Sequence, residues 1–484
     1  MTLGQRALKS TAYVAAGTYA SMAVTFVSSV VLARLLEPAD FGLFALATFF
    51  MELFGRVREF GFDQALVHRQ DNLKQARATH FTLRFSFSVL SLLLTLVALP
   101  ILSNHYDPPM LKILVILSAL MCLQGASATQ RISLEKELRF GYTTLIDVSG
   151  LIVSVGTAVF LAMRGWGVWS LLANAVINNI WVFAGLWLFG PWKLSLKSLK
   201  IEREDVRWFL KFGWFLWLGG LTTFLLFKYN DFIAGTFLGA AVLGFYVKAF
   251  NFAQLPTSLV TSVISKVALP TYAKVQKDSE KLSETFNLVL RNIVRAAVPL
   301  SLVLFLVAHD FTLLLLGEKW LPMVPLLRLL LVYGVLRSIF DDAGAFLTAI
   351  GKPQVVAKYL GVQAALILFL SPLLGFRFGA SGIAVALNLV MVVGVILSYW
   401  YVSREVKIFL LRDFVPSGIA AVGTLVAASL VFPVFSGLSL ATSFLSKSLT
   451  AAVVYAVLLV LIERKSLIRD FSYLKSLLLK RRAG

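Results

Sequence analysis

Charge is what this sequence lacks most. Of its 484 residues only 14% are Asp, Glu, Lys or Arg, against roughly 25% in an ordinary soluble domain. A water-soluble chain of this length would split into several domains, each wrapped in a polar exterior, and there are too few charges to build those exteriors. Cysteine is nearly missing as well. Cys122 is the only one, which excludes an intramolecular disulfide and argues against a thiolate metal site. The four histidines, His68, His80, His105 and His309, are scattered and make no metal cluster. There is no GxxxxGKS/T phosphate loop, no HExxH and no Gly-Ser nucleophile elbow. GWG at 165–167 reads as a turn between two apolar runs. No loop has room for a folded extramembrane domain. The chemistry to expect is movement rather than bond breaking, so we expect neither an enzyme nor a bound cofactor or metal.

What is present is apolar surface: 58% of residues are hydrophobic, 39 of them Phe. Apolar runs of about 20 residues recur along the whole length, and a helix of that size crosses the ~30 Å hydrocarbon core of a bilayer. The fold class is therefore all-α: a polytopic membrane protein of about fourteen transmembrane helices, from a first span at 12–34 to a last at 443–463. The first span is too long for a signal peptide and lacks a small-residue cleavage site, so it reads as retained.

The net charge of +20 could suggest nucleic acid, but the basic residues alternate between loops instead of forming one face. With the N-terminus inside, 34 of the 45 Lys and Arg fall in inner segments and seven in outer loops, which is the positive-inside pattern. Both termini are expected in the cytoplasm. The charge excess follows from topology and from attraction to anionic inner-leaflet lipid, and no nucleic-acid partner is expected.

The stretch LLEPADFGLFALA, 35–47, has a counterpart in FLGAAVLGFYVKA, 237–249. An offset of 202 pairs Leu36 with Leu238, Phe41 with Leu243, Gly42 with Gly244, Phe44 with Tyr246 and Ala47 with Ala249. GVWSLLAN at 167–174 likewise resembles GIAVALN at 382–388. These matches suggest an N-terminal six-helix lobe (1–190), a basic cytoplasmic linker (191–208) and a C-terminal six-helix lobe (209–403). Two additional helices (404–463) and a basic cytoplasmic tail (464–484) complete the chain. The two lobes would be parallel pseudo-repeats, with a site expected between them.

The motifs LARLLEPADFGLFALA, REFGFDQALVHR, ELRFGYTTLIDVSG with RGWGVWSLL, and YNDFIAGTFLGAAVLGFYVKAFNFAQLP carry a resemblance over essentially the whole chain. It resembles the polysaccharide exporters, the Wzx-type flippases of lipid-linked oligosaccharides in the multidrug/oligosaccharidyl-lipid/polysaccharide (MOP) exporter superfamily. The resemblance implies a monomeric, two-lobed, V-shaped transporter working by alternating access. Its substrate would be a polyprenyl-pyrophosphate-linked oligosaccharide, moved from the inner to the outer leaflet of a bacterial plasma membrane. An ion gradient would be a candidate driving force, and a polysaccharide polymerase or other assembly protein a candidate partner.

A charge at mid-membrane costs about 2.5 to 3.5 kcal/mol even on insertion scales, so charges inside spans are the candidate site residues. Lys248 lies about seven residues into its span and shares a helical face with Gly244 and Asn251; a cavity role, snorkelling and an ion pair all remain open for it. Arg328 and Arg337 lie in one span, and Arg337 can pair with Asp341 at i+4. Arg84 and Asp147 sit near inner span ends, where the alternative is interfacial anchoring. Lys248, Arg337, Arg84, Asn251 and Arg328 are taken as substrate-binding candidates, and Asp147, Asp231, Asp341 and Asp342 as coupling or gating candidates. Glu52, Arg56 and Glu59, at i, i+4 and i+7, are expected to neutralise one another and leave Arg58 over. Asp231 could equally be a helix-end residue in water, and the Phe212, Trp214, Phe215, Trp217 cluster reads as packing.

Three other functions stay open: a MATE-like cation-coupled drug exporter, a membrane-embedded enzyme of polysaccharide assembly, and a structural partner in such an assembly. A cation exporter would favour acidic side chains inside the spans, and assembly enzymes need sizeable outer loops. Reporter fusions check the topology. Fluorescent-protein fusions at either terminus should be bright and periplasmic alkaline-phosphatase fusions there inactive; phosphatase activity at one end would break the even span count.

Overall fold

The computed structural model describes residues 3–69, 71–193 and 203–480. Residues 194–202, half of the expected basic linker, and the last four residues of the tail lie outside the described residues. Contacts divide the chain into two units, Met1–Gly244 and Phe245–Gly484.

Every regular element among the described residues is helical. The first unit runs through α1 (Leu3–Leu35), α2 (Pro38–Gly55), the short α3 (Phe62–His68), α4 (Leu73–Leu102), α5 (Pro108–Lys136), α6 (Phe140–Met163), α7 (Val168–Phe189) and α8 (Arg203–Ile233). The second holds most of α9 (Ala240–Val275), then α10 (Ser279–Leu306), α11 (Ala308–Leu315), α12 (Val324–Ala349), α13 (Pro353–Val402), α14 (Leu410–Val431) and α15 (Leu440–Lys480). Helices are the expected answer in hydrocarbon, because no water is there to satisfy a backbone group that leaves its own segment unpaired.

Among the described residues eleven helices are long and apolar enough to cross a membrane, or twelve when the bent pair over 203–238 is one span. The expected count of fourteen is thus not recovered by this criterion. At 50 residues α13 is about 75 Å long, more than two bilayer cores, and it breaks at Gly379, where φ is 62°. That break lies between the expected spans 355–375 and 380–402. Helix α9, which carries the expected span 242–264, is not among the eleven.

The Glu-Pro-Ala-Asp interruption is a helix start. Pro38 takes the first position of α2, where a missing N–H costs nothing, and the Asp40 carboxylate reaches back to accept the Glu37 N–H at 3.0 Å. The repeat glycines explain the rest of the motif. A methyl group on Gly42 would overlap the Ala240 carbonyl, and one on Gly244 would overlap the Pro38 carbonyl. Since 240 is 38 plus the offset of 202, each copy's glycine meets the other copy's first helical residue, and all four residues lie in the first unit. Lipid tails are as apolar as Leu, so helices in a bilayer associate by such close approach.

Gly42→Ala should therefore act as an overpacking change of about 1 to 3 kcal/mol, seen as a lower unfolding midpoint of the detergent-purified protein. Gly156→Ala, with nothing within 4 Å of the added methyl, should leave the midpoint level or slightly raised.

Candidate functional site

In the first unit, the turn after α2 and the short α3 bring basic groups against α4 and α5. Arg84 of α4 donates from Nη1 to the Arg58 carbonyl at 2.9 Å and from Nη2 to Asp63 Oδ2 at 3.1 Å. Asp63 Oδ1 lies 3.0 Å from Nε2 of His80, whose Nδ1 lies 2.9 Å from the Thr129 hydroxyl. A carboxylate only accepts, so Nε2 carries the proton and Nδ1 takes the hydroxyl's. Burial pushes the Asp63 carboxyl up, but the His80 hydrogen bond and the Arg84 charge outweigh it and hold the group below its ordinary value.

Arg58 is different. Its Nη2 donates to Gln124 Oε1 at 2.8 Å, and the Gln124 amide donates in turn to Asn179 Oδ1 at 2.7 Å. Its Nε and Nη1, and the Nε of Arg84, are buried with no hydrogen-bond partner. The cluster therefore sets the Arg58 and Arg84 guanidinium groups near Asp63, with Glu59, itself paired to Arg56, also acting on Arg58, and keeps buried N–H donors that have no hydrogen-bond partner among the described residues.

Other expected site residues in this unit are satisfied. Asp147 is gripped by both Arg131 nitrogens, at 2.9 and 2.6 Å. Asp231 is buried, 3.6 Å from Lys228, which also lies 3.6 Å from Glu52. Two readings are corrected here. Asp231 is no solvated helix end, and Glu52 turns to Lys228, leaving Arg56 to pair with Glu59 at 2.7 Å. The i, i+4, i+7 spacing was compatible with mutual neutralisation, but α8 packs against α2 and supplies a nearer cation to Glu52. Of the aromatic cluster on α8, Trp217 stacks on Phe60 at 5.2 Å and on Trp214 at 5.4 Å, and Phe212 stacks on Trp208 at 5.5 Å; the Phe215 side chain lies outside the described residues.

In the second unit Lys248 is 4% exposed, with Nζ 5.9 Å above the fully buried Trp320 ring. Asn251, less than one turn further on, is exposed. Arg337 pairs with Asp341 at 2.6 Å, as its i+4 spacing predicts, and also reaches the Tyr333 hydroxyl at 3.2 Å. Arg328 is exposed, with its guanidinium 5.7 Å from the Phe305 ring. Asp342 is 3% exposed. One of its oxygens accepts from Tyr272 at 2.9 Å, and the other has no hydrogen-bond partner. Sequence reasoning passed over Arg58, Asp63, His80, Gln124 and Asn179. Two signals were available: Arg58 was the charge left over, and Asp63 sits in the REFGFDQALVHR motif.

Residues 31–325 match the model of a family described as polysaccharide biosynthesis protein. The chain belongs to this family. A relative, the lipopolysaccharide biosynthesis protein WzxC of Escherichia coli K12, is 25% identical over 413 residues, covering 84% of this chain and 82% of that protein. The fold is similar to that of the lipid II flippase MurJ in an inward closed conformation, with a TM-score of 0.72 at 14% identity over 94% of this chain and 99% of that one. It is also similar to an inward-facing multidrug resistance MATE family transporter of the MOP superfamily, with a TM-score of 0.56 at 15% identity over 80% of this chain and 95% of that one. This polysaccharide biosynthesis family member is thus a multi-pass helical membrane protein with a transporter fold.

Asp63→Asn should replace one of the two acceptor oxygens with an NH2 group that faces a donor, remove the charge paired with Arg84, and destabilise the protein by about 1.5 to 3 kcal/mol. Because the folded carboxyl sits below its ordinary value, its contribution is complete above about pH 4 and lost as pH falls through the folded value. Unfolding midpoints between pH 3 and pH 7 should show the acid-side fall flattened in the variant.

Proposed function

We propose that this protein flips a polyprenyl-pyrophosphate-linked oligosaccharide from the inner to the outer leaflet of a bacterial plasma membrane, by alternating access, for export of a cell-surface polysaccharide. The observation that carries the reading is the Arg58–Arg84 cluster, where buried guanidinium donors lack partners. A pyrophosphate is a compact polyanion with many acceptor oxygens, and the planar guanidinium fork matches it in charge and geometry. Family membership and the flippase named among the fold's relatives support the same reading. Lys248, held over Trp320, is a second cation on the proposed route, and Arg337 a third that opens only if Asp341 releases it. Asp342, without a cationic partner among the described residues, is the coupling group we favour; Asp147, Asp231 and Asp341 each already face a cation.

The reading extends to the finer points of organisation. The chain acts as a monomer, both termini face the cytoplasm, and the halves 1–190 and 209–403 are repeats, which the reciprocal Gly42 and Gly244 contacts support. A cation-coupled drug exporter shares this fold, but Asp63, the carboxylate of the first-unit cluster, is already paired with Arg84 and accepts from neutral His80, leaving Arg58 in excess.

The test is reconstitution in liposomes with a fluorescent polyprenyl-pyrophosphate oligosaccharide, reading the fraction accessible from each side. Wild type should move it. Arg58→Gln should slow movement about 10- to 100-fold, the range expected for losing a charged hydrogen-bond donor, and Lys248→Ala should slow it less. Wild-type protein that moves no such lipid yet extrudes organic cations would overturn the proposal.

A further inference from the structure

The first unit carries a groove of about 650 Å³ that belongs to none of the sites above. Its floor is apolar, made by Phe60, Val206, Leu210 and Trp214, and its rim is basic, made by Arg203, Arg207 and Lys211. The rim residues recur every four positions along α8, so neighbours are about 6 Å apart along one helical face, and all three are exposed. Nearby acid does not cancel them: Asp205 is buried in an ion pair with Arg69 at 2.6 Å, which leaves Glu204 against three cations. The floor is brought close by Gly213, where a methyl group would overlap the Phe60 carbonyl.

The groove lies where α8 changes direction. Residues 203–214 and 216–238 are inclined to each other by 40°. At 31 residues α8 is about 46 Å long against a ~30 Å hydrocarbon core, so its charged first arm stands at the membrane surface. Trp214, 47% exposed, marks the level at which indole rings settle between hydrocarbon and headgroups.

We propose that this groove binds an anionic phospholipid of the surrounding bilayer, its phosphate against Arg203, Arg207 and Lys211 and an acyl chain along Phe60, Leu210 and Trp214. Only an anionic amphiphile uses both halves of the site. A neutral lipid leaves the three cations unmatched, and a soluble phosphate or nucleic acid leaves the apolar floor wet. The proposal is independent of the cargo assigned above.

The test uses the full chain in nanodiscs, with tryptophan fluorescence quenched by lipids brominated on the acyl chain. Trp214→Phe identifies the part of the signal that comes from the groove. For that part, brominated phosphatidylglycerol should reach half-quenching at about tenfold lower mole fraction than brominated phosphatidylethanolamine. R203Q/R207Q/K211Q should bring the two curves together, while R203K/R207K, which keeps the charge, should leave them apart. Coincident curves in the wild type, or an anionic preference that survives the neutralised variant, would overturn the proposal. So would displacement of the brominated phosphatidylglycerol by a stoichiometric amount of short-chain polyprenyl diphosphate, which would make the groove a cargo site.

Discussion

In the hydrocarbon core of a bilayer no water is available to satisfy a polar group, and most of this structure follows from that constraint. It makes every regular element a helix. It also requires the few charges carried by those helices to find partners within the protein. Arg131 holds Asp147, and Arg337 holds Asp341. Arg291 and Arg295, one turn apart on α10, hold Asp413 of α14 at 2.9 Å and Glu463 of α15 at 2.7 Å, and all four side chains are at most 8% exposed. Removing one partner from such a pair costs about 3 to 5 kcal/mol, so the last two long helices are bound into the second unit rather than appended to it. Buried charged groups that keep an unused atom among the described residues include Arg58, Arg77, Arg84 and Asp205 in the first unit, and Asp342 and Asp413 in the second.

Packing obeys the same logic. With lipid on the outside, burying apolar side chains against one another gains little, and cohesion comes from close contact and interhelical hydrogen bonds. Gly42 and Gly244 let backbones touch in the first unit. In the second, Thr257 donates to the Gly334 carbonyl at 2.8 Å, where the missing side chain lets α9 lie against α12. Exposed Leu, Val, Ile and Phe are numerous on the outer helices, as lipid contact requires.

A functional consequence follows from which charges are matched. Asp63 is offset by the Arg84 charge, so Arg58 leaves the first-unit cluster cationic in balance, with donors that a phosphate can use. In the second unit Lys248 rests against an aromatic face, and Asp342 has no cationic partner among the described residues. Lys248 and Asp342 thus lie on separate helices, α9 and α12.

The sequence by itself determined the class of molecule. Hydrophobic run length fixes helices and membrane, scarcity of charge excludes soluble domains, and local spacing is enough for the Arg337–Asp341 pair and the Asp40 capping contact, because a helix places i+3 and i+4 neighbours together whatever surrounds it. The offset of 202 was likewise visible, and it located Gly42 and Gly244. Only tertiary structure decided the rest. His80 meets Thr129 from 49 residues away, Arg58 meets Gln124 from 66 and Arg291 meets Asp413 from 122. Glu52 left its local partner for Lys228, while α13 breaks at Gly379, between the two expected spans. Which faces of two helices meet depends on packing over their whole length, so a distant partner for a charge has no local signature, and it is those partners that decided which charges were left over.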